Sequence, residues 1–278
     1  MSAPRASVTY FSAGSFDTVL DLGGDPAACD LAVFFAGNQF MVVPTLIDAF
    51  VAQHDAVSSV FYETLPPGIV ADQVRTGRLQ VNDLVISTPP DVVALSPTTL
   101  LELRDEGLVG CANAYASNDL ALLVQRGNPL AITGWEDLAA PGIRVAFPNP
   151  ATEGIGALAA ETIERVGGLR LRERIMADKH ASGDTILTDI HHRQGPAWLA
   201  EDRVDVAVVW TTEATWHTSR GEGFTAITLD PAEQGEGHYA CAAATKSTHP
   251  DLAEAFVAFM TSTQAQALYR SHGFSTLS

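Results

Sequence analysis

The sequence predicts a two-lobed α/β protein in which one lobe is inserted into the other. Three observations predict it. Continuous apolar runs alternate with amphipathic helices, the pattern of parallel strands covered on both faces. A second such set interrupts the first. A final amphipathic segment is placed to pack back on the first lobe. With 278 residues, 46% apolar and 18% charged, the composition is ordinary for a globular chain and leaves room for two modest cores.

Residues 1–30, rich in Gly, Asp and Ala, read as a leader or an edge hairpin, with a short strand over 8–11. The run Leu31, Ala32, Val33, Phe34, Phe35 is a buried parallel strand. Residues 36–40 make a tight polar loop, after which Pro44 and Thr45 open a helix with Leu46, Ile47, Phe50 and Val51 on one side. Strands are expected over 57–62 and 83–87, and helices over 69–76 and 98–106. The inserted set begins with a strand over 119–124. Thr133 and Glu136 have the spacing of a capping box. A strand ends at Phe147, a helix runs from 153 to about 166, and 184–192 looks helical. Residues 204–210 are another buried strand, with Thr211 or Thr212 as a cap for the segment after it. Strands over 224–229 and 238–245 then lead to a helix with Leu252, Phe256, Phe259 and Met260 on one face.

Charge and motifs exclude several functions. The net charge of −17, from 16 basic and 33 acidic residues, leaves no basic stripe for nucleic acid. A field of this sign repels anions at long range, so an anionic ligand needs local donors such as helix N-termini. Cys29, Cys111 and Cys241 lack the spacing of a zinc site, and no cofactor is expected. The odd count leaves a free thiol, and a Cys111–Cys241 bridge stays open. No run is long enough to span a membrane, and the first ten residues lack a signal-peptide core. The chain is therefore expected to be cytoplasmic, or periplasmic or extracellular and membrane-associated with its leader removed. It carries no GxSxG, HExxH, GxGxxG or P-loop motif, so an enzyme is not expected.

The segments 120–129, 132–139, 141–152 and 204–214, together with 31–40, resemble class II periplasmic solute-binding proteins of ABC importers, nearest the molybdate/tungstate type. The likeness runs over 31–278. It implies two α/β lobes joined by two crossing strands with a ligand cleft between them. Lobe one would be 31–116 plus 216–278, and lobe two 117–215, with hinge closure on the ligand. It also implies a small anion as ligand, either molybdate- or tungstate-like or organic. The partners would be ABC transporter membrane subunits, and the protein would be monomeric. A cytoplasmic sensor or carrier of the same fold is the alternative, and an enzyme on this fold is a third.

Candidate ligand residues rest on the strand-end rule and the resemblance. Asn38, Gln39 and Phe40 occupy the first strand–helix loop, where amide side chains can donate to an oxyanion; a plain loop is the alternative. Glu63 and Gly68 flank a stiff Pro66-Pro67 turn that departs from the family's Gly-Ser-Gly type loop, and Gly68 permits close backbone approach. Ala151, Thr152 and Glu153 match a family loop at a helix N-terminus, where Thr152 is equally an ordinary N-cap. Trp210, Thr211 and Glu213 form the last loop. Glu153 and Glu213 would coordinate directly if the ligand were a metal centre; otherwise no metal is expected. His192 and Arg193 can reach a cleft from a helix, with exposed helix surface as the alternative reading. On such a helix His191 and His192 point apart and do not share a metal.

Overall fold

The structure, a computed structural model, describes residues 7–8, 19–81, 84–189 and 191–276. It divides into two units, residues 1–117 with 238–278, and residues 118–237. Two strands, Asn113–Gln125 and Glu236–Ala243, contribute residues to both. The segment 216–237 falls in the second unit, where a boundary near 216 had assigned it to the first. The reason is strand pairing: Phe224–Thr228 lies antiparallel on 121–125.

In the first unit, Leu31–Ala36 is parallel to Val60–Leu65 on one side and to Val92–Leu95 on the other. Glu236–Ala243 extends the sheet antiparallel to Val92–Leu95. Leu22–Gly23 borders Val60–Leu65 and pairs outward with Ser7–Val8. The remainder of the expected leader, 1–6 and 9–18, lies outside the described residues.

Side chains alternate across this sheet with period two. Leu31, Val33 and Phe35 face the helices Val43–Val51, Pro250–Met260 and Thr263–Ser271. Ala32 and Phe34 face Pro67–Thr76 and Pro97–Asp105. Because both faces are covered, the strand is apolar throughout. Phe256 anchors the first face, with ring centroids 4.8 Å from Phe50 and 6.2 Å from Phe35.

The expected strand over 83–87 is not part of this sheet. Leu84–Ile86 pairs with Leu79–Val81 as a separate hairpin, and the third parallel strand is Val92–Leu95. Asp83 lies outside the described residues.

The second unit is ordered Phe224–Thr228, Asn113–Gln125, Val206–Trp210, Val145–Phe147, Thr185–Leu187. The last three are mutually parallel, so their carboxyl ends lie along one edge. Leu120, Leu122, Val145, Phe147, Val206 and Val208 pack on the helix Gly154–Glu173 and on Trp135. Ala121, Leu123, Ala146, Ala207 and Val209 pack on Trp198 and Leu199 of Gln194–Ala200.

The long helix sits close against the loop before it. A Cβ on Gly156 would come within 2.3 Å of the Pro148 carbonyl oxygen, so only glycine allows this approach. The helix breaks at Gly168, whose φ of 73° is left-handed. Beyond the break the chain passes through a π-turn, Arg174–Asp178, to Lys179. Lys179 is buried, and its Nζ donates to the carbonyls of Leu138, Ala140 and Ile143 at 2.7, 2.9 and 2.5 Å. It thereby closes the turn around Glu136–Ala139.

That turn corrects the expected capping box. Thr133 does not cap toward Glu136. Its N–H and hydroxyl donate to Asp137 at 2.7 and 2.8 Å, and Gly134 N–H joins them at 3.2 Å. Trp135 is buried, its Nε1 donates to the Glu233 carbonyl, and the segment after it is a short 3₁₀ turn in place of an α-helix start. All three cysteines are free. Cys241 is buried and its thiol is pushed up to about 12, whereas Cys111 is exposed.

Candidate functional site

The carboxyl-end edge of the second unit gathers three loops, after Phe147, Leu187 and Trp210. Each leads into a helix. Glu153 is the N-cap residue of Gly154–Glu173. One of its oxygens accepts from Asn149 N–H at 3.3 Å and from the Thr188 hydroxyl. The other accepts from His192 N–H at 2.5 Å and lies 3.0 Å from His192 Nδ1. Glu213 sits in the first turn of Thr211–Ser219 and accepts from Trp210 N–H at 3.4 Å. Its second oxygen lies 3.0 Å from His192 Nε2. The two atoms form a buried ion pair. His192 is thus held between two carboxylates from two other loops.

The charges are set by this geometry. Burial alone would strip the proton from His192, but the charge of Glu213 and the hydrogen bond with Glu153 outweigh it and hold the ring up at about 9. Burial would protonate Glu153, but its bond to His192 prevails and keeps the carboxyl below its usual range. Glu213 behaves likewise, burial opposing and the His192 charge prevailing. His191 stacks on His192 with ring centroids 3.9 Å apart. Burial, with the charge of His192 beside it, drives the His191 pKa well down. A neutral ring fits its Nδ1 accepting from Arg193 N–H at 3.1 Å.

This overturns the reading of 184–192 as a helix with an exposed face. Thr185–Leu187 is a strand, and His191, His192 and Arg193 are buried in the turn before Gln194–Ala200. Gln194 Oε1 fixes that turn by accepting from Asp189 N–H at 2.8 Å. Since the histidines are not on a helix, the argument that they point apart no longer applies. Among the described residues, Glu153, His191 and His192 offer ligand atoms within 4.8 Å of one another and are the group that can hold a metal. A cation there would have to displace the His192 proton and break the Arg193 N–H bond to His191.

The first unit holds a second polar cluster. Gly37–Gln39 is a single turn at the carboxyl end of Leu31–Ala36. Asn38 Nδ2 donates to the Tyr239 hydroxyl. Gln39 Oε1 accepts from the hydroxyls of Tyr115 and Tyr269 at 2.7 and 3.0 Å. Tyr115 lies 5.1 Å from Tyr269 and 6.3 Å from Tyr239, ring to ring. Asn38, Gln39 and Phe40 are all buried.

The structure therefore brings Glu153, His192 and Glu213 together in one unit, and Asn38 and Gln39 together with three tyrosines in the other. It does not place Glu63 at a loop. Glu63 is wholly buried within its strand, facing the helix Pro67–Thr76, and accepts from Gln73 Nε2 at 3.2 Å. Burial pushes its carboxyl up to about 8. Gly68 is exposed in the first turn of that helix, with open space where a Cβ would stand. Ala151 and Thr152 are exposed in the turn before Glu153, and Glu153, not Thr152, is the N-cap. Trp210 is buried, and the Thr211 hydroxyl meets the Leu120 carbonyl at 3.5 Å. Tyr115, Tyr239, Tyr269, Asn118 and Thr188 were not foreseen. They lie far apart in the chain, and no local spacing marks them.

Parallel strands feeding helices in two units, with two strands shared between the units, define the α/β fold of periplasmic binding proteins. Solved structures agree. The sulfate-binding protein SubI from Mycobacterium tuberculosis superposes with a TM-score of 0.72 at 23% identity, over 88% of this chain and 85% of that one. The periplasmic molybdate-binding protein of Azotobacter vinelandii gives 0.72 at 18% identity, over 90% and 100%. The chain belongs to the family of bacterial extracellular solute-binding proteins, which it matches over residues 31–275. Among curated relatives, a sulfate-binding protein of Synechococcus elongatus is 25% identical over 251 residues, covering 79% of this chain and 70% of its own. Among the described residues, no helix is long and apolar enough to cross a membrane.

Proposed function

We propose that this protein is the solute-binding component of an ABC-type importer. It captures a small anion, inorganic or organic, and passes it to the membrane subunits unchanged. The relatives named for sulfate and molybdate support the class of ligand. The observation that carries the anion is the state of Glu153. This carboxyl is 9% exposed, yet hydrogen bonding keeps it below its usual pKa. The strand ends of the second unit therefore stabilise buried negative charge despite a chain charge of −17. We assign ligand contacts to Ala151, Thr152, Glu153, His192, Arg193, Trp210, Thr211 and Glu213 in that unit. In the first unit, taken by itself, Asn38, Gln39 and Phe40 form a separate candidate set of ligand contacts, with the Tyr239 hydroxyl that Asn38 orients.

A thermal-shift screen with sulfate, molybdate, tungstate, phosphate, small carboxylates and divalent metals tests this. An anion at a hundred times its Kd adds roughly 2.7 kcal/mol to the folded state. For a chain of this length that is a rise in Tm of roughly 5–10 °C. Asn38→Ala and Thr152→Ala should lower affinity while the unliganded protein stays folded. A screen in which no anion raises the Tm overturns the proposal.

A further inference from the structure

Two imidazoles and a carboxylate of the second unit have the spacing of ligands around one cation. Glu153, His191 and His192 are buried, and each offers a ligand atom within 4.8 Å of the other two. Glu153 Oε2 lies 3.0 Å from His192 Nδ1. Ligands held about 2.0 Å from a tetrahedral ion stand about 3.3 Å apart, so this pair is already spaced as two ligands of one ion. His191 packs on His192 with ring centroids 3.9 Å apart, in the same turn before the helix Gln194–Ala200.

The groups around these three orient them as the outer partners of a metal site do. When His192 ligates through Nδ1, its Nε2 keeps a proton and faces Glu213 Oε1 at 3.0 Å, which sets a carboxylate behind a ligating imidazole. Glu153 Oε1 is held by Asn149 N–H and the Thr188 hydroxyl, and Oε2 turns toward the imidazole. His191 Nδ1 accepts from Arg193 N–H, which fits a neutral ring, the form in which imidazole ligates.

We propose that Glu153, His191 and His192 bind one divalent transition-metal ion of the zinc class, with Glu213 as the carboxylate that orients His192. Two nitrogen ligands and one oxygen suit such an ion over Mg2+ or Ca2+, which take oxygen ligands. Three protein ligands leave a fourth position to water or to a solute oxygen. The ion replaces the proton on His192 Nδ1, which leaves to solvent, and His191 exchanges the Arg193 N–H for it. The chain charge of −17 draws cations toward the molecule. This site goes beyond anion capture and does not rest on it.

Calorimetric titration of the metal-free full chain with Zn2+ at pH 8, in a buffer without coordinating anions, tests the proposal. One ion per chain should bind with a Kd of about 10 μM or tighter. His191→Ala should weaken binding about tenfold or more. His217→Ala, at a histidine that pairs with Glu222 outside the set, should leave it unchanged. Binding weaker than about 10 μM overturns the proposal. So does an affinity that a folded His191→Ala protein keeps, or one that His217→Ala abolishes. If His191→Ala does not fold, the visible absorption of the Co2+-loaded wild type decides: the strong bands of a four-coordinate ion bear the proposal out, and the weak bands of an octahedral one overturn it. Failure to bind Zn2+ leaves anion capture standing, and failure of every anion to bind leaves the metal site standing.

Discussion

Replacing Glu63 by Gln should stabilise the protein at neutral and alkaline pH while barely changing it near pH 4. Glu63 is wholly buried against Gln73, and its carboxyl titrates at about 8 against an ordinary 4.5. Below pH 4.5 the group is protonated in both folded and unfolded chains and no penalty arises. As pH rises from 4.5 to 8 the unfolded chain ionises while the folded chain keeps its proton, so stability falls by about 1.4 kcal/mol per pH unit. At pH 7 that amounts to roughly 3 kcal/mol, an amount that Gln, which cannot ionise, escapes. The proton also matters locally, because Glu63 Oε1 and Gln73 Oε1 are both acceptors without partners among the described residues. The assay is urea denaturation of both proteins at pH 4.5, 6, 7 and 8. All four tryptophans, at 135, 198, 210 and 216, lie in the second unit, so tyrosine near-UV circular dichroism should be recorded for the first. The stability difference should grow with pH in favour of Glu63→Gln. A difference that stays constant across the range would refute the reasoning, because a titrating buried carboxyl cannot produce one.

Three further outcomes are expected. Lys179→Met removes the donor to the carbonyls of Leu138, Ala140 and Ile143 and should cost roughly 2–4 kcal/mol, measured by tryptophan fluorescence in urea. His192→Gln leaves Glu153 and Glu213 buried without their cation and should cost about 3–5 kcal/mol. Because His192 is raised to about 9, its wild-type contribution is complete below pH 6.5 and is lost as pH rises through 9; the variant should lack that decline in denaturation curves. Phe256→Ala opens a cavity among Phe35, Phe50 and Phe259 and should lower stability by about 3–5 kcal/mol, read from the same curves.

The parts of the fold that were legible are those where one local signal suffices. Leu31–Ala36 and Val206–Trp210 are apolar throughout because both faces of their sheets are covered, so each announces itself. Val92–Leu95 escaped because four residues after Pro89-Pro90 make too short a run to stand out, and the neighbouring Leu84–Ile86 drew the assignment instead. The site divides in the same way. Glu153 and Glu213 stood in recognisable loops at helix starts. The adjacent His191, His192 and Arg193 read as a helix that either reaches a cleft or faces solvent, and not as a buried turn, since three polar residues are buried only when tertiary partners compensate them. For His192 those partners are Glu153 and Glu213, 39 residues before it and 21 after it. Tyr115 and Tyr269 meet at Gln39, and Tyr239 at the neighbouring Asn38, only through the folded sheet, so no window of sequence contains that cluster.

The most direct test of the central claim is calorimetric titration with the strongest anion from the thermal screen, followed by mass spectrometry of the recovered ligand. Capture without chemistry predicts one anion bound per chain and its recovery with unchanged mass. No binding heat from any anion, or a recovered product of different mass, would contradict it.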